Sequence, residues 1–277
     1  MTVDVEDFFQ VSAFENVIPR ENWDKYQLRV EKNTQRILEL FSKYEAKATF
    51  FVLGWVAERS PNLVREIVEQ GHELASHGYD HKRVTNLSPA EFKSDILKSK
   101  DILEQLGGVT VNGYRAPSYS IVADNLWAHE VLAECGYQYS SSIYPIKHDL
   151  YGIPDAPRFR YRSGAEDLIE FPISTIKKFG RNFPCGGGGF FRLYPYALSK
   201  WAINTVNRVD KEACIFYFHP WELDPDQPPQ ENLPLKTRFR HYLNLDKTEK
   251  RLEKLLQDFQ WVSMDSLMQN FDANENG

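Results

Sequence analysis

The sequence predicts an α/β fold: one barrel-like domain of seven or eight βα units. Three observations carry this reading. Strand-like and helix-like segments alternate almost from end to end, the strand-like runs are short and apolar, and no linker-like break divides the chain. At 277 residues the chain can bury one large core, and its 42% apolar and 26% charged residues are ordinary for a globular protein. A doubly wound open sheet is the competing arrangement. It is weakened because DVEDFF, rather than a G-x-G-x-x-G turn, follows the first strand.

The elements follow in order. Thr2–Val5 is a short β-rich run. Thr34–Tyr44 places Ile37, Leu38, Phe41 and Tyr44 on one helical face, and ATFFVL at Ala48–Leu53 is a buried strand ended by Gly54. Pro61–Gln70 opens as a Ser-Pro helix start and stops at Gly71, and His72–Ser76 is the next strand. Ser88–Leu106 begins SPAE, with Ser88 as N-cap and Glu91 three residues on, and it ends at Gly107-Gly108. Val111–Arg115 is a strand, Ala123–Cys135 a helix and Tyr137–Ser142 a strand. A polar, irregular stretch covers about 145–166, followed by a strand at Leu168–Ile173. CGGGG at Cys185–Gly189 precedes an amphipathic helix, Leu193–Val209, and ACIFYF at Ala213–Phe218 is a strongly apolar strand. Asp224–Pro234 reads as a surface loop, Lys247–Phe259 as a helix and Trp261–Met264 as a last strand. One domain over 1–271 is expected, with a frayed tail at 272–277.

A net charge of −6 excludes a general nucleic-acid binder, which needs a basic surface to displace counterions. Aromatic residues make up 14% of the chain, enough either for a large aromatic core or for a cleft on which sugars stack. Three widely spaced cysteines with no C-x-x-C suggest reduced, buried thiols. The acidic start without an apolar h-region, and the lack of an 18-residue apolar run, lead us to expect a cytoplasmic protein with no integral membrane segment.

In a βα barrel, chemistry gathers where strands end and loops converge. Four strand ends here carry unusual polar groups: Asp4, Glu6 and Asp7 after the first, His77 and His81 after the third, Arg115 after the fourth, and His219 after ACIFYF. Two imidazoles four residues apart can reach one ion, although one H-x-x-x-H alone equally suits a surface pair. An acidic cluster at a neighbouring strand end supplies a third ligand and a free carboxylate able to act as general base. A guanidinium beside that carboxylate would hold it ionised and oriented. A lone histidine such as His219 is more often a satisfied core residue, and its place at a strand end makes it a candidate acid.

Taken in order, TVDVED, SHGYDH, RAPSY and FHPWEL resemble the polysaccharide deacetylase family with the NodB-type domain, carbohydrate esterase family 4. The resemblance runs from Thr2 to about Leu223. It is nearest the subgroup found with bacterial exosortase-linked exopolysaccharide genes, which the CGGGGFFRLYPY stretch and the aromatic C-terminal helix also resemble, and it implies a family-specific C-terminal part from about 224. It implies a distorted, incomplete (β/α) barrel of about seven strands. It implies one divalent metal, Zn2+ first, with Co2+, Ni2+ or Fe2+ as alternatives, held by His77, His81 and either Glu6 or Asp7. Spacing selects Glu6, whereas Asp7 has the shorter side chain that strand-end ligands more often use. Asp4 would be the general base, Arg115 its orienting partner, and His219 the acid that protonates the departing amine. A backbone N–H near Ser118–Tyr119 would help hold the oxyanion. Pro117, Tyr119, Arg192 and Trp221 would contact substrate.

Two departures from the family pattern stand out. Val5 occupies the usual second-Asp position, and Ser140 stands where an Asp normally orients the acid histidine, which leaves Glu222 or Asp149 for that task. The expected substrate is an N-acetylated exopolysaccharide or its lipid-linked oligosaccharide precursor, handled by a protein that is peripheral to the inner membrane and forms a homo-oligomer. The alternatives are an amidase of a small ureide or cyclic imide, and an inactive carbohydrate-binding homologue. Gly186–Gly189 would be a lid, a tight backbone approach to the sugar, or a plain surface loop; no Gly-Lys-Ser/Thr follows to make it a phosphate loop.

Overall fold

The structure, a computed structural model, describes residues 1–148, 151–164 and 168–275. Its main sheet is built from β1 (Thr2–Val5), β2 (Thr49–Val52), β3 (Glu73–Ser76), β4 (Gly113–Tyr114), β5 (Tyr139–Ser140), β6 (Tyr161–Ser163), β7 (Leu168–Glu170) and β10 (Tyr217–Phe218). The order is β10-β1-β2-β3-β4-β5-β7-β6, parallel throughout except where β6 pairs antiparallel to β7. A separate antiparallel hairpin joins β8 (Thr175–Lys178) to β9 (Arg181–Pro184). The helices are α1 (Val30–Lys43), α2 (Gly54–Arg59), α3 (Pro61–Glu69), α4 (Pro89–Gly107), α5 (Trp127–Glu134), α6 (Gly188–Leu193), α7 (Tyr196–Asn204), α8 (Leu235–Tyr242), α9 (Leu245–Asp258) and α10 (Met264–Glu275).

Strand periodicity of two sorts the core into two layers. Val3, Phe50, Leu74, Phe216 and Phe218 point outward to the helices, whereas Phe51, Ala75, Tyr139, Ile169 and Tyr217 point inward. Met264 and Met268 of α10 join the inner set. The sheet curls but does not close. Between its ends, the segment after β7 lies along β10: Ser174 N donates to Ile215 O (3.4 Å) and Tyr217 N to Gly186 O (2.7 Å), with one parallel bridge from Gly187 to Tyr217. The incomplete barrel expected from the sequence is the architecture observed.

The starts of α3 and α4 match their Ser-Pro signals, whereas α1 begins earlier than expected, at Val30, and α5 later, at Trp127. Ser88 Oγ accepts from Glu91 N, Glu91 Oε2 accepts from Ser88 N (2.8 Å), and Gly108 ends α4 with φ +65°. Other expectations change. Trp261–Met264 is not a strand; its residues run extended into α10, which continues to Glu275 past the expected start of the tail. The expected helix Leu193–Val209 is broken at Pro195, and its first part starts inside the glycine run. The stretch 145–166 contains β6, and the β8–β9 hairpin was not anticipated. Among the described residues no helix is long and apolar enough to cross a membrane.

Candidate metal centre and active site

β1 turns Asp4 into the barrel, where Val3 and Val5 on either side face the helices. Immediately afterwards Glu6 N donates to Asp4 O (3.0 Å), a tight turn that brings Glu6 back over the strand end. Asp7 leaves in another direction. Its carboxylate accepts from Phe8 N (2.8 Å), Arg29 N (2.6 Å) and Val30 N (2.8 Å), capping both the turn Phe8–Gln10 and the start of α1. Burial still outweighs these bonds and pushes its pKa up to about 6. Asp7 is therefore corrected from candidate ligand to cap.

His77 directly follows β3. Its Nδ1 lies 2.8 Å from Arg115 O, which only accepts, so Nδ1–H donates and Nε2 keeps its lone pair. Burial lowers the His77 pKa to about 4, which leaves the ring neutral and ready to ligate. The loop returning to His81 is pinned by Gly54 N to Gly78 O (2.9 Å) and Tyr79 N to Asp95 Oδ2 (3.0 Å), and His81 takes φ +58°. One ligand atom each from Glu6, His77 and His81 falls within 4.8 Å of the others.

The donor set fits a divalent cation. One carboxylate and two imidazoles suit Zn2+ or a similar borderline metal. Glu6 Oε2 is buried without a hydrogen-bond donor, although His81 Nε2 lies only 2.7 Å away and misaligned, as expected of two atoms aimed at one ion. Burial opposes ionisation of Glu6, but His81, His219 and His77 together hold its pKa down at about 2. Trp221 Nε1–H donates to the other oxygen, Oε1 (3.2 Å).

Arg115 is fully buried. Its Nη1 donates to Asp4 Oδ1 (2.6 Å) and Thr2 Oγ1 (2.7 Å), its Nε to Ser141 O (3.0 Å) and its Nη2 to Ser141 Oγ (2.8 Å). The guanidinium also lies 4.1 Å above the Phe51 ring centroid. Asp4 is thus gripped at one oxygen, and its other, Oδ2, faces His219 Nε2 at 3.9 Å. His219 Nε2 is also 3.6 Å from Glu6 Oε1, and its Nδ1 is 2.8 Å from Glu222 Oε1. Burial works against the imidazolium, but Glu6, Glu222 and Asp4 outweigh it and raise the His219 pKa to about 9.

The group that orients His219 is Glu222, itself held by Arg192 Nε (2.6 Å). The rival, Asp149, lies outside the described residues. Arg192 is corrected from substrate contact to support: it is 2% exposed, and its Nη1 donates to His241 O (2.9 Å) and Leu243 O (2.8 Å). Trp221 is corrected likewise. It is stacked between His219 and His241, at 5.1 and 4.3 Å, and its only donor is committed to Glu6. Reading His-Pro-Trp-Glu as a capping box would have favoured Glu222 over Asp149, since Glu222 Oε1 also accepts from His219 N (3.1 Å).

Pro117 opens a turn in which Ser118 and Tyr119 both have positive φ, +54° and +52°. Tyr119 N donates to Ala116 O (3.0 Å), which leaves Ser118 N–H as the free donor of that pair among the described residues. The Tyr119 ring packs on Tyr144, Tyr151 and Tyr217, and its hydroxyl has no hydrogen-bond partner among the described residues. A cleft of about 370 Å³ reaches the site at His81, walled by Gln10, Arg20, Trp23 and Asp80. A larger cleft, about 1040 Å³, contains none of the site residues.

Residues 22–140 match the family model for polysaccharide deacetylases, and residues 141–269 match a model described as a domain of unknown function, DUF3473. The boundary between the matches falls within one sheet, since β5 pairs with β4 on one side and β7 on the other. A peptidoglycan-N-acetylglucosamine deacetylase of Bacillus cereus is 36% identical over 98 residues, 35% of this chain and 36% of that protein. A peptidoglycan deacetylase of Helicobacter pylori is 32% identical over 113 residues, 41% of this chain and 38% of that protein. The chain thus spans little more than a third of these relatives. A solved structure from Mycobacterium smegmatis, described as a polysaccharide deacetylase, superimposes with a TM-score of 0.65 at 18% identity, covering 99% of this chain and 90% of that one, and shares its fold. Over residues 22–140, less than half of its length, the chain is similar to the polysaccharide deacetylase family.

Proposed function

We propose that the protein is a metal-dependent N-deacetylase that hydrolyses acetamido groups on the sugars of a bacterial exopolysaccharide or its lipid-linked precursor. One observation supports this above all: a carboxylate gripped by arginine, a Glu-His-His triad and a carboxylate-braced histidine meet at one barrel end. Peptidoglycan deacetylation in the relatives bears on the class of substrate. The polymer itself is our inference.

Glu6, His77 and His81 would hold the cation, which we take to be Zn2+. When bound, such an ion supplies Lewis acidity toward the amide carbonyl and makes a nearby water more acidic. Asp4, fixed at Oδ1 by Arg115, accepts the attacking water's proton at Oδ2. Ser118 N–H is the backbone donor for negative charge developing on the carbonyl oxygen. The water oxygen bonds to the carbonyl carbon as the C=O π pair moves onto oxygen; when that pair returns and the C–N bond breaks, His219 gives its Nε2 proton to the departing amine and acetate is left. Glu222 keeps that imidazole oriented through Nδ1. The cleft beside His81 is the proposed sugar path.

Acetate release from N-acetylglucosamine oligomers, free and lipid-linked, tests the proposal against an allantoin-like amide. Chelator-sensitive acetate release is the expected result. Turnover of the ureide with no acetate from any glycan would replace the reading with the amidase one.

A further inference from the structure

We infer that the β8–β9 hairpin docks the protein on an anionic lipid surface. The inference does not depend on the proposed chemistry. The hairpin turn is Lys178-Phe179-Gly180-Arg181, with φ +50° at Phe179 and +73° at Gly180. A two-residue turn of this kind favours Asn or Asp at its first left-handed position, and a bulky aromatic there is strained. Phe179 is also 97% exposed. Neither turn chemistry nor burial within the chain accounts for a phenylalanine at that tip.

The tip does not stand alone. Cross-strand pairing sets Ile176 opposite Phe183, and Phe179, Phe183, Leu198 and Trp201 line one apolar groove of about 250 Å³. Apart from Phe179, these three are each 42–44% exposed, so the apolar surface is contiguous. Lys178 lies 5.6 Å from the Trp201 ring centroid.

Charge identifies the occupant. Residues 175–184 carry three cations and no acid in a chain of net charge −6. On the hairpin's other side, Lys147, Lys177 and Arg181 line a cleft of about 1040 Å³ and have no acidic partner among the described residues; Arg158 there is paired with Asp210, and Asp155 is the acid in the wall. Exposed aromatic groups ringed by lysine and arginine match the boundary between acyl chains and anionic headgroups. A second copy of this chain, net acidic at −6, would also attract these cations and is therefore an arm of the test below.

The hairpin is anchored rather than loose. Asn182 Nδ2 donates to Pro145 O (2.9 Å) and Pro154 O (3.4 Å), in the segment carrying Tyr144 and Tyr151. Those rings pack on Tyr119 and Tyr217, and Tyr217 packs on His219. A surface-bound molecule therefore holds its site one loop away from the lipid.

Sedimentation of the full chain with vesicles tests this, comparing phosphatidylglycerol-containing with pure phosphatidylcholine membranes. Binding to the anionic vesicles, weakened by salt, is expected. Phe179→Ser should weaken it about tenfold, the worth of one buried aromatic side chain, with an unchanged thermal melt. Combined Lys177→Glu, Lys178→Glu and Arg181→Glu should abolish it. Wild-type protein remaining in the supernatant, or Phe179→Ser binding as wild type does, overturns the inference. So does a vesicle-independent dimer that Phe179→Ser dissociates, which would assign the patch to a second copy.

Discussion

At the scale of single residues, the proposed chemistry divides the site into groups that would hold an ion and groups that would move protons, and substitutions should separate them too. His77→Ala and Glu6→Gln remove ligand atoms, so metal content and turnover should fall together, read by elemental analysis and acetate release. Asp4→Asn keeps the shape beside Arg115 and removes the base. Metal should stay while turnover drops by about two to four orders of magnitude. Asp7→Asn should keep both metal and turnover but lose stability by roughly 1–3 kcal/mol, since an amide has a single accepting oxygen and would turn its NH2 toward at least one of the three backbone donors. Metal loss in Asp7→Asn would reverse our choice of third ligand. The spacing of the acidic cluster favoured Glu6 but could not exclude Asp7. What removes Asp7 is contact with Arg29 and Val30, more than twenty residues along the chain, and periodicity does not report such contacts.

At the scale of elements, what the sequence revealed depended on whether the signal was local. Ser88-Pro89 and Gly108 bound α4 because caps are written in adjacent residues. Trp261–Met264 looked like a strand because it is apolar, but a strand needs a neighbour with free backbone groups. Here Trp261 O instead accepts from Lys47 N, and α10 begins at once. His72, beside β3, makes the element scale testable. Its ring packs between Phe41 and Phe50, and burial followed by nearby Lys47 lowers its pKa to about 4. The unfolded chain takes this proton near the ordinary value of about 6.5, and the folded chain refuses it until about 4. Its share of stability is therefore present above pH 6.5 and lost as pH falls between those values, at up to about 1.4 kcal/mol per pH unit. His72→Gln should show a flatter decline than wild type in urea unfolding of metal-free protein across that window. Parallel declines would mean that the ring is not held neutral.

At the scale of the whole molecule, the site depends on how an unclosed barrel is sealed. Asp4 and Glu6 come from the first strand and His219 and Glu222 from the last, and the β1–β10 pairing brings them together. The free side of β10 is covered by the glycine run. The structure assigns these glycines a task that the sequence left open among lid, sugar contact and plain loop. A Cβ at Gly186 would lie 2.3 Å from Ile215 O, at Gly187 2.8 Å from the Tyr217 ring, and at Gly188 2.2 Å from Glu222 Oε1. A Cβ at Gly189 would meet nothing within 4 Å. The close approach is real, but its object is β10 and the brace of His219. Gly188→Ala should therefore push the Glu222 carboxylate away from His219 Nδ1 and lower kcat by about tenfold or more. Metal content should be unchanged, because Glu6, His77 and His81 are positioned by β1 and β3. Gly189→Ala, one residue on in the same helix, should behave as wild type. If the two variants lose activity equally, the run acts through its flexibility, and the sealing role assigned to Gly188 is wrong.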